Sequence, residues 1–185
     1  MDGSMRIKLT PTSAIVLGLL EHAGEATPYD LKTMVAASVG NFWSVPHSAL
    51  YAEPERLARA GYLEERRETG GRRRRRYALT DLGLRALDEW RRETSAGLPE
   101  LRDLALLKVF FGADPARVAA DQLAAHRAKL AQYEAMRRAG AGDAPRGPAL
   151  TLEAGIRHER EWVTYWEQLA SGELAHQRPA APPRS

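Results

Sequence analysis

Cysteine is missing from the sequence. Its absence excludes disulfide bonds, thiolate zinc sites and cysteine nucleophiles, so packing alone must hold the fold together. The longest apolar run, residues 14–20, is far shorter than the roughly 20 residues that a membrane-spanning helix needs. No signal peptide opens the chain. We therefore expect a soluble cytoplasmic protein that has no membrane partner.

Catalytic signals and a strong overall charge are lacking too. The net charge is only +3 over 185 residues, which says little about partners. The five histidines show no metal-ligand spacing, and no serine lies in a nucleophile-elbow motif. We therefore expect no enzymatic activity, no catalytic residue, no metal and no cofactor. A hydrophobic content of 44% nevertheless suffices to bury a core, in one ordinary domain or two small ones.

Helix-capping signals divide the first sixty residues into three short helices. The predicted helix starts are Thr10 before Pro11, Thr27 before Pro28, and Ser44 with Pro46 in the first turn. Asp30 stands at the capping-box position of the second helix, which is expected to end near Gly40. Gly61 is the predicted stop of the third helix. In a helix-turn-helix this third helix is the one that enters the major groove of DNA.

A strand-like pattern follows the three helices. Residues 62–68 and 72–79 flank a glycine-bearing turn of hairpin length, which predicts a two-stranded wing. Thr80 is the predicted cap of the next helix, with Leu84, Leu87 and Trp90 on its buried face. The order helix, helix, helix, hairpin, helix is that of a winged helix. The predicted fold class is therefore mainly α, with a winged helix-turn-helix domain at residues 5–94.

The second half of the chain has the pattern of a helical dimerisation domain, predicted at residues 95–171. An apolar helix is expected at residues 102–111, and Asp114 with Pro115 begins a long helix with heptad-spaced apolar positions. A flexible connection at residues 140–148 precedes a last helix, and residues 172–185 are predicted to be a disordered tail. The predicted dimer contacts are Leu104, Leu107, Phe111, Leu123, Leu130, Ile156 and Val163.

The candidate DNA contacts are the outward polar residues near the third helix and an unusual run of five arginines. They are Thr27, Tyr29, Ser44, His47, Ser48, Tyr51, Arg72, Arg73, Arg74, Arg75 and Arg76. A narrow minor groove attracts arginine, which suits a basic wing tip. The alternative is a solvated, charged edge strand that prevents edge pairing. Pro54, inside the third helix, either divides a DNA-facing half from a core-facing half or is simply tolerated by packing.

Aromatic residues suggest a site for a small aromatic effector, and core packing is the alternative explanation. The candidates are Trp90, Phe110, Tyr133, Trp162 and Trp166.

Two segments resemble the PadR family of transcriptional regulators. They are SALYAEPERLARAGYL at residues 48–63 and GGRRRRRYALTDLG at residues 70–83. The longer C-terminal half is similar to the larger PadR subgroup, which has several C-terminal helices. The resemblance implies a homodimer that binds double-stranded DNA and represses transcription in response to an aromatic or phenolic effector. The main alternative is a winged-helix module that binds other proteins and has no DNA specificity.

Overall fold

The computed structural model describes residues 7–67, 74–95, 97–140 and 145–176. The chain forms two compact units that divide between Gly97 and Leu98. Three of the predictions concern residues outside the described ranges. They are the hairpin turn with Arg72 and Arg73, the middle of the connection at residues 140–148, and residues 177–185 of the tail.

The first unit has the predicted winged-helix order. Its helices are α1 (Pro11–Ala23), α2 (Pro28–Ala37), α3 (Ala49–Arg59) and α4 (Asp81–Arg92), and its strands are β1 (Glu25–Ala26), β2 (Leu63–Arg67) and β3 (Arg75–Leu79). The strands form an antiparallel sheet in the order β1-β3-β2, with Glu25 opposite Ala78 and Glu65 opposite Tyr77. The wing therefore has a third strand that the sequence did not predict, because two residues are too few to show a strand period.

Side-chain caps begin the helices at two of the three predicted sites. The hydroxyl of Thr10 accepts a hydrogen bond from the Ser13 backbone N–H at 3.1 Å, and Thr27 accepts one from Asp30 at 3.2 Å. Both caps are complete capping boxes, and the second helix stops at Ala37, before a 3-10 turn at Val39–Asn41.

The predicted start of the third helix at Ser44 is wrong. Helix α3 begins at Ala49, and Ser48 precedes it without making a side-chain cap. The backbone N–H of Ala49 instead donates to the carbonyl of Pro46 at 3.0 Å, so a turn leads into the helix. Proline disfavours the helical conformation at the residue before it, which explains why no helix runs through Val45.

The core of the first unit lies between its four helices and the wing. Its buried apolar side chains include Leu17, Leu20, Leu31, Leu50, Leu57, Tyr62, Leu63, Tyr77 and Leu87. The predicted buried face of α4 is only partly right, because Leu84 and Trp90 are exposed. Helix α4 instead packs through Leu82, Gly83, Ala86 and Leu87. A Cβ atom on Gly83 would lie 2.2 Å from the Tyr62 carbonyl oxygen, so only glycine permits this close approach.

The second unit consists of three helices and a terminal turn. Helices α5 (Leu104–Phe110), α6 (Pro115–Ala139) and α7 (Arg146–Ser171) precede a 3-10 turn at Glu173–His176. Asp114 caps α6 as predicted. Two predicted boundaries are wrong, since α7 begins inside the expected connection and the turn occupies the start of the expected disordered tail. None of the helices in the described ranges is both long and apolar enough to span a membrane.

The heptad-spaced positions of α6 and α7 pack against each other inside one chain. Tyr133 is buried on Gly155, whose added Cβ would lie 3.0 Å from the tyrosine ring. A hydrogen bond joins His126 Nδ1 to Glu159 Oε2 at 2.6 Å, and an ion pair joins Arg137 to Glu153 at 3.5 Å, so the two helices run antiparallel.

This packing changes how the predicted dimer contacts must be understood. Ile156 is fully buried within the single chain, and Leu123, Leu130 and Val163 are half-buried. The heptad pattern of these helices therefore needs no second chain to explain it. In contrast, Leu104, Leu107 and Phe111 are 66%, 51% and 77% exposed. The assignment of all seven residues to a dimer interface stays a prediction.

Candidate nucleic-acid interface

Helix α3 has one face in the core and one face in solvent. Leu50, Pro54 and Leu57 are buried, which is the spacing of one helical face. Ser48 and Tyr51 are exposed on the opposite side, where both were predicted, and 52% of Tyr51 is accessible. The outward face therefore presents a hydroxyl and a phenol, which are groups able to hydrogen-bond with either phosphates or bases.

Pro54 does not interrupt this helix. Helix α3 runs continuously from Ala49 to Arg59, although proline lacks the N–H that would bond to the Leu50 carbonyl. The outward residues Tyr51 and Glu55 lie on either side of Pro54, whose own side chain is fully buried. This arrangement favours the hypothesis that packing tolerates Pro54 over the hypothesis that it divides the helix into two functional halves.

A polar network fixes α3 against α1. The Ser13 hydroxyl, fully buried, donates to Glu53 Oε1 at 2.5 Å, and Arg56 donates to both carboxylate oxygens of Glu53 at 2.6 and 2.9 Å. Burial pushes the pKa of Glu53 upward, but the hydrogen bonds from Arg56 and Ser13 outweigh it and the net pKa is lowered. Helix α3 is thus held by a charged anchor on its inner side.

The predicted contacts before α3 differ in accessibility. Tyr29, Ser44 and His47 are exposed, and 67% of Tyr29 is accessible. Thr27 is corrected as a DNA contact, because it is buried and its hydroxyl is occupied by the α2 cap, donating to Asp30 Oδ2 at 2.8 Å. Hydrogen bonds from the backbone and then the side chain of Thr27 lower the pKa of Asp30.

Sequence reasoning missed two aromatic residues in the segment between α2 and α3. Phe42 and Trp43 are 62% and 46% exposed. Trp43 also lines a cavity of about 220 Å³ between α2 and α3, together with Lys32 and His47. The sequence did contain a signal for this exposure. Two adjacent aromatic residues stand in a short connection between helices, where no helical face exists to bury them.

Glutamates pair with most of the described wing arginines. Arg66 pairs with Glu64 at 3.0 Å, Arg67 with Glu65 at 2.9 Å and Arg76 with Glu25 at 3.4 Å. These contacts neutralise part of the positive charge that the sequence alone suggested was free.

Arg75 connects the wing to α3. It contacts Glu55 at 3.1 Å and Glu65 at 3.7 Å. Hydrogen bonds from Arg75 and Arg59 lower the pKa of Glu55, and a hydrogen bond from Arg67 lowers that of Glu65. Arg74 is exposed. Because successive strand residues point to opposite faces, Arg76 lies on the face opposite Arg75.

Comparison with known proteins agrees with this architecture. Residues 16–89 match the model of the transcriptional regulator PadR-like family, and residues 101–171 match that of the virulence activator alpha C-terminal domain. The negative transcriptional regulator PadR of Bacillus subtilis is 28% identical over 169 residues, which cover 83% of this chain and 92% of the relative. Residues 16–89 therefore form a domain of the PadR-like family.

Solved structures of the Bacillus subtilis PadR protein are similar along nearly the whole chain. Its complex with operator DNA has a TM-score of 0.76 and 26% identity, covering 86% of this chain and 96% of that one. Its complex with p-coumaric acid has a TM-score of 0.72 and 24% identity, covering 89% and 97%. This PadR-like chain is accordingly a transcriptional regulator with a winged helix-turn-helix.

The predicted effector residues of this PadR-like chain are only partly brought together. Trp162 and Trp166 stack with ring centroids 6.0 Å apart, and Trp162 also stacks on His126 at 5.6 Å. Tyr133 is buried farther along the α6–α7 seam, while Phe110 is 81% exposed on α5. Trp90 belongs to the first unit and is exposed.

Trp166 differs from the other aromatic residues because its polar atom is unsatisfied. It is fully buried, and its Nε1–H has no hydrogen-bond partner among the described residues. A buried donor without a partner is uncommon and has an energetic cost. No group of three His, Asp or Glu side chains suited to a metal ion occurs in the described ranges.

Proposed function

We propose that this PadR-like regulator is a repressor that binds operator DNA as a homodimer and responds to a small aromatic effector. The observation that carries the DNA-binding part is the single surface formed by the outward face of α3 and the wing, joined by the 3.1 Å contact between Glu55 and Arg75. Repression is supported by the negative-regulator description of the Bacillus subtilis relative. A regulator of this kind acts in the compartment that holds the genome, which agrees with the predicted cytoplasmic location.

DNA recognition is tested by selecting genomic fragments from the source organism with the purified full-length chain and footprinting the enriched ones. A two-fold dimer presents two recognition helices to one DNA face, so we expect inverted repeats with half-sites about 10 bp apart. A pool of shuffled fragments of equal composition is the control. Equal recovery of both pools would contradict sequence-specific binding and favour the protein-interaction module.

The dimer is supported by the exposed apolar surface of the second unit. Leu104, Leu107, Phe110 and Phe111 are each more than half exposed, and they lie on or beside one short helix. A contiguous apolar patch on a protein surface commonly marks an interaction site. A second copy of the chain would cover this patch through a self-complementary interface.

The effector response is supported by the aromatic cluster of the second unit. The unpartnered Trp166 Nε1–H offers a donor beside stacked aromatic rings. A planar aromatic acid combines a ring that can stack with oxygen atoms that accept hydrogen bonds. The solved complex of the Bacillus subtilis relative with p-coumaric acid makes this compound the appropriate first probe.

A further inference from the structure

A chain of ion pairs joins the recognition helix to the wing. Glu55 Oε1 lies 3.2 Å from an Arg59 nitrogen and 3.1 Å from Arg75 Nη1. Glu65 Oε1 lies 3.7 Å from Arg75 Nε and 2.9 Å from Arg67 Nε. We call these five residues the helix–wing network. It contains three arginine side chains and two carboxylates, so its net charge is only +1.

The two carboxylates of this network have different surroundings. Glu65 is mostly buried and also accepts a hydrogen bond from the hydroxyl of Tyr77, whose ring lies in the core, at 3.3 Å. Glu55 is 40% exposed and stands on the outward face of α3 beside Tyr51. Glu65 therefore holds Arg75 through its Nε atom, within the wing. Glu55 is the carboxylate that approaching DNA would meet.

Arginine nitrogens that contact a carboxylate already have the kind of partner that a DNA phosphate would supply. DNA must break such contacts before it gains from these arginines, and its phosphates also repel Glu55. We propose that Glu55 holds Arg59 and Arg75 as an intramolecular substitute for DNA phosphate and thereby suppresses binding to DNA that lacks the operator. Glu55 then sets the strength of the sequence-independent part of DNA binding, an inference that rests on the proposed DNA-binding function.

This suppression acts on the part of the affinity that carries no sequence information. Phosphate contacts account for essentially all non-specific binding, whereas contacts with base edges discriminate between sequences. A carboxylate that competes with phosphates weakens binding to every duplex. Operator DNA stays bound because base contacts of α3 add to the weakened phosphate contacts, whereas random DNA has only the phosphate contacts and is released.

The test compares the wild-type chain with Glu55→Gln in titrations of an enriched genomic duplex and a shuffled duplex across a range of salt concentrations. Glu153→Gln is a matched control, because Glu153 also pairs with an arginine four residues later, at 3.0 Å, and with a second arginine on another helix, at 3.5 Å. It removes the same charge from the second unit. Thermal unfolding confirms that all variants are folded.

We expect Glu55→Gln to bind the shuffled duplex more tightly by about five-fold at low salt, the change that one exposed ion pair can supply. The logarithmic salt dependence should steepen by about one unit for each arginine released to a phosphate. The operator duplex should gain by a similar factor, so the ratio of the two affinities should change little, while Glu153→Gln behaves as wild type. In an Arg75→Gln background, Glu55→Gln should give a smaller gain, because one of its cations is gone.

The shuffled-duplex measurement separates this inference from the proposed function. Wild-type binding without any operator preference would contradict the proposed function, yet a tighter Glu55→Gln complex with shuffled DNA would still support the competing role of Glu55. Unchanged affinity and salt slope for the shuffled duplex would overturn the inference. Loss of operator affinity alone would also overturn it, since Glu55 would then accept a hydrogen bond from a cytosine amino group.

Discussion

At the scale of single residues, the charged side chains of the first unit act through their partners. The arginine run indicated DNA binding from the sequence alone. The structure adds that Arg75 and Arg76 are each held by glutamate. The alternation of strand residues further places Arg75 on a different face from Arg76. The wing therefore contributes less free positive charge than the count of arginines suggests.

The inner anchor of α3 yields a stability prediction. Glu53→Gln removes the charge that binds Arg56 and the Ser13 hydroxyl, and should lower the free energy of unfolding at neutral pH by about 1.5–3 kcal/mol, the range for hydrogen bonds to charged groups. Urea unfolding measures the change. Glu89→Gln, at an exposed position of α4, is the control and should stay within about 0.5 kcal/mol of wild type.

The pH dependence of this anchor follows from the direction of its pKa. The folded state lowers the pKa of Glu53, so its stabilisation is complete above the pKa of the unfolded chain and is lost as the pH falls through the folded value. The difference between wild type and Glu53→Gln should therefore shrink when unfolding is measured at about pH 4 instead of pH 7. A difference that is equal at both pH values would contradict this role.

At the scale of secondary-structure elements, short-range signals predicted the first unit well. Thr10, Thr27 and Thr80 cap the helices at the positions their spacing indicated. The predicted cap at Ser44 is wrong because Pro46 disfavours the helical conformation of Val45, the residue between them. The spacing of Leu50 and Leu57 correctly placed Ser48 and Tyr51 in solvent.

Helix α5 provides the prediction at this scale. Leu107→Glu introduces a charge into the exposed apolar patch and should weaken the proposed dimer on the order of 100-fold, because a two-fold interface contains the substitution twice. Light scattering over a concentration series measures the mass. Leu150→Glu is the matched control, since Leu150 is a comparably exposed leucine of α7. A wild-type monomer at micromolar concentration, or an undisturbed Leu107→Glu dimer, would disprove the proposed interface.

At the scale of the whole molecule, two compact units divide the proposed tasks. The first contains the candidate DNA surface, and the second contains the apolar patch and the stacked tryptophans. An effector can regulate DNA binding only if it binds the DNA-competent and DNA-incompetent states with different affinities. The effector response therefore requires that effector binding in the second unit changes the affinity of the first unit for DNA.

We expect saturating p-coumaric acid to weaken operator binding about ten-fold, within the usual range of coupling between two sites. Trp166→Phe removes the indole N–H and should reduce this response while leaving operator affinity without ligand near the wild-type value. Fluorescence anisotropy of labelled operator measures both, with hexanoic acid as a control that has no ring. If Trp90→Phe reduced the response to p-coumaric acid and Trp166→Phe did not, the effector site would lie in the first unit instead. No response in the wild-type chain would contradict the choice of effector.

Local chemistry in the sequence determined the order of the helices and of the two-stranded wing, while the resemblance of two segments, residues 48–63 and 70–83, indicated the family. A helix cap joins residues three positions apart, and a helical face repeats every three to four residues, so both are visible along the chain. These regularities placed the recognition helix, the wing and the outward position of Tyr51. They also located the stacked pair Trp162 and Trp166 one helical turn apart.

Only the tertiary structure decided which surfaces remain available to partners. Glu55 meets Arg75 across twenty positions of sequence, and Glu53 meets Ser13 across forty. Such contacts depend on how the elements pack, because a charge run or a heptad pattern is the same in sequence whether its partner is the same chain, a second chain or DNA. In the structure, the heptads of α6 and α7 pack on each other within one chain. The glutamates that contact the wing arginines likewise became visible only in the folded chain.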